Sequence, residues 1–193
     1  MPWTTRSAPS SKRPPPTLCR CCAVCDDQLT LPTPCVEYDV HGLLDHLFQV
    51  ITNFQALAGK GESDFGSPPE RLSDDRRERF AAEIDGLIGA WAAPGAEDGL
   101  TGAMNMPART VGAMALGDLT VHSWDLARAT GQPYEPDAAV VRMLGVEFAA
   151  LAPTARSMNV FGEPFPVGGD ATAFESLLAE TGRDPGWQPP AHA

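Results

Sequence analysis

The sequence predicts an all-α fold: four helices packed as a bundle, followed by a short extended segment and a shorter fifth helix. Three observations carry this. Apolar residues recur at three- and four-residue steps in four separate stretches, the pattern of helices that turn one face to a core. Polar caps or prolines open these stretches, and glycine or proline closes them. The chain has 193 residues and is 43% hydrophobic, which suffices for one core of ordinary size.

Residues 1–34 hold seven prolines and no periodic apolar stripe. Residues 1–28 therefore read as an irregular, Pro- and Cys-rich arm, and residues 29–188 as the domain. Inside the arm lies CRCCAVC, Cys19 to Cys25, with the C-x2-C spacings of a zinc knuckle. Thiols so crowded rarely wrap one ion tetrahedrally, and no second knuckle follows, only Cys35. They read as exposed, reduced thiols.

The first helix starts after Thr33-Pro34-Cys35 with Asp39 as its N-cap. Val40, Leu43, Leu44, Leu47, Val50, Ile51, Phe54 and Leu57 form its stripe, and Gly59 and Gly61 end it near Ala58. His46 lies on or beside that stripe, and His41 on the more polar side. Ser67-Pro68-Pro69-Glu70 has capping-box spacing, so the second helix begins there or near Ser73. It points Phe80, Ile84, Leu87, Ile88 and Trp91 inward, its charged run from Asp74 to Arg79 faces water, and Pro94-Gly95 ends it. Asn105 caps a third helix that has Pro107 in its first turn and runs to Thr130, where Gly131 and Pro133 stop it. A fourth starts at Pro136-Asp137, buries Val140, Val141, Leu144, Phe148 and Leu151, and stops at Pro153. Val160, Phe161, Phe165 and Val167, set among glycines and prolines, read as extended, and Ala171 to Thr181 as a short helix.

Charge narrows the function. With 25 acidic against 14 basic residues and a net charge of -11, the chain lacks the footprint of a nucleic-acid or anionic-membrane binder. No apolar run approaches the ~18 to 20 residues of a membrane span. Pro14, Pro15 and Pro16 stand where a secretory signal would place its apolar region. A cytoplasmic protein with a small-molecule partner is expected.

The third helix carries DLTVHSWDLARAT, Asp118 to Thr130. Asp118 and His122 are one turn apart and leave the same face, which Val111, Met114, Ala115, Leu126 and Ala129 mark as apolar. Ionisable groups on such a face need a partner. An Asp–His hydrogen bond within the core satisfies them, and so does a shared metal ion. His46 is either a hydrogen-bonded core residue or a third ligand to that ion.

HSWDLARATGQP, Val160-Phe161-Gly162, ETGRDPGW and the stretch from LPTPC to His46 occur together in one order. In this combination the chain resembles the DinB-like metal-binding proteins of actinobacteria, the family of the mycothiol-dependent maleylpyruvate isomerase. The resemblance covers about residues 29–188. It implies a DinB-like four-helix bundle that binds a divalent metal through His46, Asp118 and His122. Two histidines and a carboxylate suit zinc and leave coordination positions open. The isomerase relative has Glu where this chain has the shorter Asp118. Asp125, one turn past His122, has two partners in reach: the His122 imidazole, which it would orient, and Arg128 at the surface. Relatives carry a full helix before the TPC motif. Here the arm replaces it, leaving a strip of core for the arm, the tail or the second subunit of a homodimer to cover.

The leading expectation is a zinc-dependent transferase or isomerase in which mycothiol or a similar small thiol attacks an electrophilic substrate. No residue is singled out as its acid or base. The second is a non-catalytic small-ligand-binding protein with a structural or vestigial metal, and the third a miscalled or degraded reading frame.

Overall fold

In a computed structural model, residues 24–103 and 105–190 are described. The arm thiols Cys19, Cys21 and Cys22 lie outside them, and Cys25 is exposed. Among the described residues the fold has five α-helices: α1 (Val40–Ala58), α2 (Arg76–Ala92), α3 (Ala108–Thr130), α4 (Ala138–Ser157) and α5 (Ala173–Glu180). The only sheet among the described residues pairs β1 (Leu100–Thr101) with β2 (Met106–Pro107), so the all-α expectation holds.

Local chemistry explains most boundaries. The Asp39 side chain accepts from Gly42 N at 2.7 Å and caps α1, and all eight residues of the expected stripe are buried. Gly131, at φ 69, closes α3 in the left-handed conformation that glycine adopts without strain. Asp137 caps α4 by accepting from Ala139 N and Val140 N. Thr172 and Glu175 form a reciprocal capping box at α5.

Three expectations need correction. Of the two starts expected for α2, the one near Ser73 is close, since the helix begins at Arg76, and the one at Ser67 fails because residues 64–67 are held in a turn by the Asp64 carboxylate, which accepts from Gly66 N, Ser67 N and Ser67 Oγ. Pro107 is the N-cap of α3, since Asn105 belongs to the turn between β1 and β2 with φ 50. Helix α4 passes through Pro153 to Ser157. Proline there removes one hydrogen bond to the carbonyl four residues back, on Ala149, which is exposed and can be satisfied by water. Helix α4 is also long and apolar enough to cross a membrane by length and composition, with mean hydropathy 1.4, contrary to the reading that no run approaches that length. In this fold it packs on α3 and α5 through Val141, Leu144, Phe148 and Ala152.

Helix α1 packs against both α2 and α3, and α3 continues the layer to α4. Being central, α3 is buried on nearly every side, polar residues included. Small residues let its neighbours approach. A Cβ on Gly117 would lie 2.0 Å from Phe148 Cζ on α4. On the N-terminal side Val24 is fully buried, Leu29 and Leu31 pack on the core, and Gln28 Nε2 donates to Thr130 O at 3.2 Å. These residues cover apolar surface at the end of the arm.

Candidate metal centre

The segment before α1 is a tight loop. Val40 N donates to Leu31 O at 3.0 Å, Tyr38 N to Cys35 O at 3.0 Å, and Thr33 Oγ1 contacts the carbonyls of both Cys35 and Tyr38. The loop stacks the Tyr38 ring on His46, with centroids 5.0 Å apart. His46 in turn meets the His122 ring edge-on, centroid to centroid 5.2 Å and nearly perpendicular. The structure therefore brings a histidine of α1 against a histidine of α3. Asp118 lies one turn before His122 on the same helix and is partly buried.

Among the described residues, neither nitrogen of His46, nor the Asp118 carboxyl, nor Nε2 of His122 has a hydrogen-bond partner. Burial has the expected effect. It brings His46 down to about 4, aided by the charges of His122 and Arg183. It raises the Asp118 carboxyl above its usual range, a push that His122 and Arg183 oppose.

The other ring nitrogen of His122 is engaged. Nδ1 lies 2.9 Å from Oδ2 of Asp125, a residue with no exposed surface. A carboxylate oxygen only accepts, so the proton is assigned to Nδ1 and the free lone pair to Nε2. Of the two partners in reach of Asp125, the imidazole is the one it takes. Its cation is Arg183, from the segment after α5, whose Nη2 donates to the same Oδ2 at 3.2 Å. The 3.5 Å separation of Arg183 Nη2 from His122 Nδ1 is that of two donors sharing one acceptor, not a third hydrogen bond. Arg128 instead donates to Pro185 O and lies over the Trp124 ring.

Cys35, Asp125 and His122 also form a cluster whose ligand-type atoms all lie within 4.8 Å of one another. His46 and Asp118 are not in it. Three such donors would suit a soft cation, but the Arg183 guanidinium already balances the Asp125 charge there, and an ion added beside it would meet like charge. The Cys35 thiol is pushed up to about 11, mainly by burial, with the Arg183 charge acting against it. Cys35 and Arg183 were not singled out from sequence. Their signal lay in the LPTPC and ETGRDPGW motifs themselves.

Comparison with known proteins agrees with this architecture. The family described as the mycothiol maleylpyruvate isomerase N-terminal domain matches residues 18–127. Two uncharacterized proteins of Mycobacterium tuberculosis, one from strain CDC 1551 and one from strain H37Rv, are each 30% identical over 157 residues, which cover 72% of this chain and 74% of theirs. No solved structure matches significantly.

Proposed function

This chain belongs to the family of the mycothiol maleylpyruvate isomerase N-terminal domain, and from that membership and the site geometry we propose a divalent-metal protein of thiol chemistry. His46, Asp118 and His122 would hold the ion, zinc is the metal their donor set suits, and mycothiol or a similar small thiol is the partner. A transferase or isomerase acting on a small electrophile in the cytoplasm is the activity this implies.

The observation that carries the reading is the set of donors without partners. Two imidazoles in ring contact and a carboxyl one turn away leave a lone pair on His46, Nε2 of His122 and the Asp118 carboxyl without hydrogen bonds among the described residues. The three are not gathered within 4.8 Å of one another as they stand, and a cation drawn between them would have to close that gap to satisfy all three. Charge favours a thiol as the external ligand. Asp125 and Arg183 cancel, so a divalent ion beside Asp118 leaves one positive charge, which one thiolate neutralises. When bound, the ion would favour the nucleophilic thiolate form near neutral pH. The protein's own contribution is to present Nε2 of His122, keep His46 neutral, and shield the site with Tyr38 and the neighbouring apolar side chains.

The test is metal content of protein purified without a histidine tag, followed by turnover of an electrophile with and without thiol and metal. The pH dependence is distinctive. Because His46 stays neutral until about 4, its protons do not compete at neutral pH. Burial holds the Asp118 carboxyl above the usual carboxylate range, so protons compete for it earlier than for an exposed carboxylate as the pH falls. Zinc retention is therefore expected to persist below the ordinary histidine range near ~6.5 and to fail by about pH 4. Equal retention at both ends of that range would count against these ligands.

A further inference from the structure

The family match ends at residue 127, yet the side chain that holds Asp125 comes from residue 183. We infer that Arg183 is a positioning residue: it clamps the Asp125 carboxylate and through it fixes which nitrogen of His122 faces the metal, so the C-terminal strap is part of the site. This inference rests on the metal reading above for its purpose, but not for its geometry.

The clamp is built rather than incidental. The Arg183 side chain is 12% exposed and Asp125 is fully buried, so the pair is shielded from solvent and salt far better than a surface contact. Both donors, the guanidinium and the imidazole, meet at one oxygen, and the second oxygen of Asp125 is buried without a hydrogen bond. The carboxylate is thus held only along the edge that faces His122 and Arg183. Without the guanidinium, one of its two restraints is gone, and the ring it orients can turn or change tautomer.

The strap that delivers Arg183 is itself fixed. Gly182, at φ 87, packs so closely on Gly162 that a Cβ would lie 2.8 Å from the Gly162 Cα. Arg156 binds Glu180 through Oε1 at 2.5 Å and through the backbone carbonyl, and reaches Gly162 O as well. Arg183 N donates to Leu178 O at 3.0 Å, and Arg128, from α3, holds Pro185 O at 3.0 Å. Helices α3, α4 and α5 therefore all help to set where the guanidinium lies.

Three variants test this: Arg183→Gln, Arg183→Lys, and Gly182→Ala, which displaces the strap without altering any side chain of the site. The first readout is the 15N spectrum of the His122 ring in metal-free protein, which reports the tautomer and needs no ion. The second is cobalt(II) affinity and its visible spectrum. Unaltered protein is expected to carry the proton on Nδ1. Arg183→Gln and Gly182→Ala should populate the other tautomer and weaken cobalt binding by about 10- to 100-fold, the usual effect of losing a group that orients a ligand. Arg183→Lys keeps the charge and should recover much of both. Should Arg183→Gln fail to fold, Gly182→Ala and the lysine variant carry the comparison. A single unchanged tautomer with cobalt affinity within about twofold in the folded variants would overturn the inference. If unaltered protein takes up no cobalt, the metal reading fails by itself, and the tautomer still decides the role of Arg183.

Discussion

His122→Ala is expected to abolish metal retention, with affinity reduced by more than the ~10- to 100-fold that follows loss of a merely supporting group. The reason is geometric. His122 links the elements of the site: its ring meets His46 at 5.2 Å, it shares a face with Asp118, and its Nδ1 anchors it to Asp125. His46→Ala removes one donor from α1 but leaves the α3 pair, so it should weaken binding without matching the loss from His122→Ala. The rival ligands are the arm thiols. A chain with serine at Cys19, Cys21, Cys22 and Cys25 should hold as much zinc as the unaltered protein, measured by atomic emission after gel filtration. Zinc retained by His122→Ala but lost from the serine variant would move the metal to the arm.

The largest effect on stability is expected from Asp125→Ala. It strips the counterion from Arg183, whose charge then stays buried beside His122. Breaking a buried pair by removing one member costs about 3–5 kcal/mol, most of it the penalty of the charge left behind. At this chain length, that is a fall in Tm of roughly 6–20 °C. The double variant Asp125→Ala/Arg183→Leu should recover part of the loss, because it removes the stranded charge too. A single variant within about 1 kcal/mol of the unaltered protein by urea denaturation would show that water reaches the pair and screens it.

The fold was legible where the determining forces are local. Helical spacing identified every helix, and Asp39, Asp137 and Gly131 marked ends of α1, α3 and α4 because each acts within a turn of its own position. Boundaries failed where something outside the helix decides them. The Asp64 turn rules out the Ser67 start of α2, and an exposed carbonyl lets α4 continue through Pro153. At the site, the i to i+4 spacing of Asp118 and His122 and the i to i+3 reach of Asp125 were readable. That Arg183 takes Asp125, 58 residues away, was not, because helical periodicity carries no information across such a separation. The same holds for Cys35, whose place beside His122 depends on how the loop before α1 meets α3.

That loop also makes Cys35 a clock. Its thiol is raised to about 11 and partly buried, whereas Cys25 is exposed. Alkylating reagents act on thiolates they can reach, so near neutral pH Cys35 reacts slowly in the closed molecule and faster whenever the loop lifts from α3. Its alkylation rate then measures the frequency with which this loop opens. Any ligand that ties α1 to α3 would slow that clock while leaving the modification of Cys25 at its original pace.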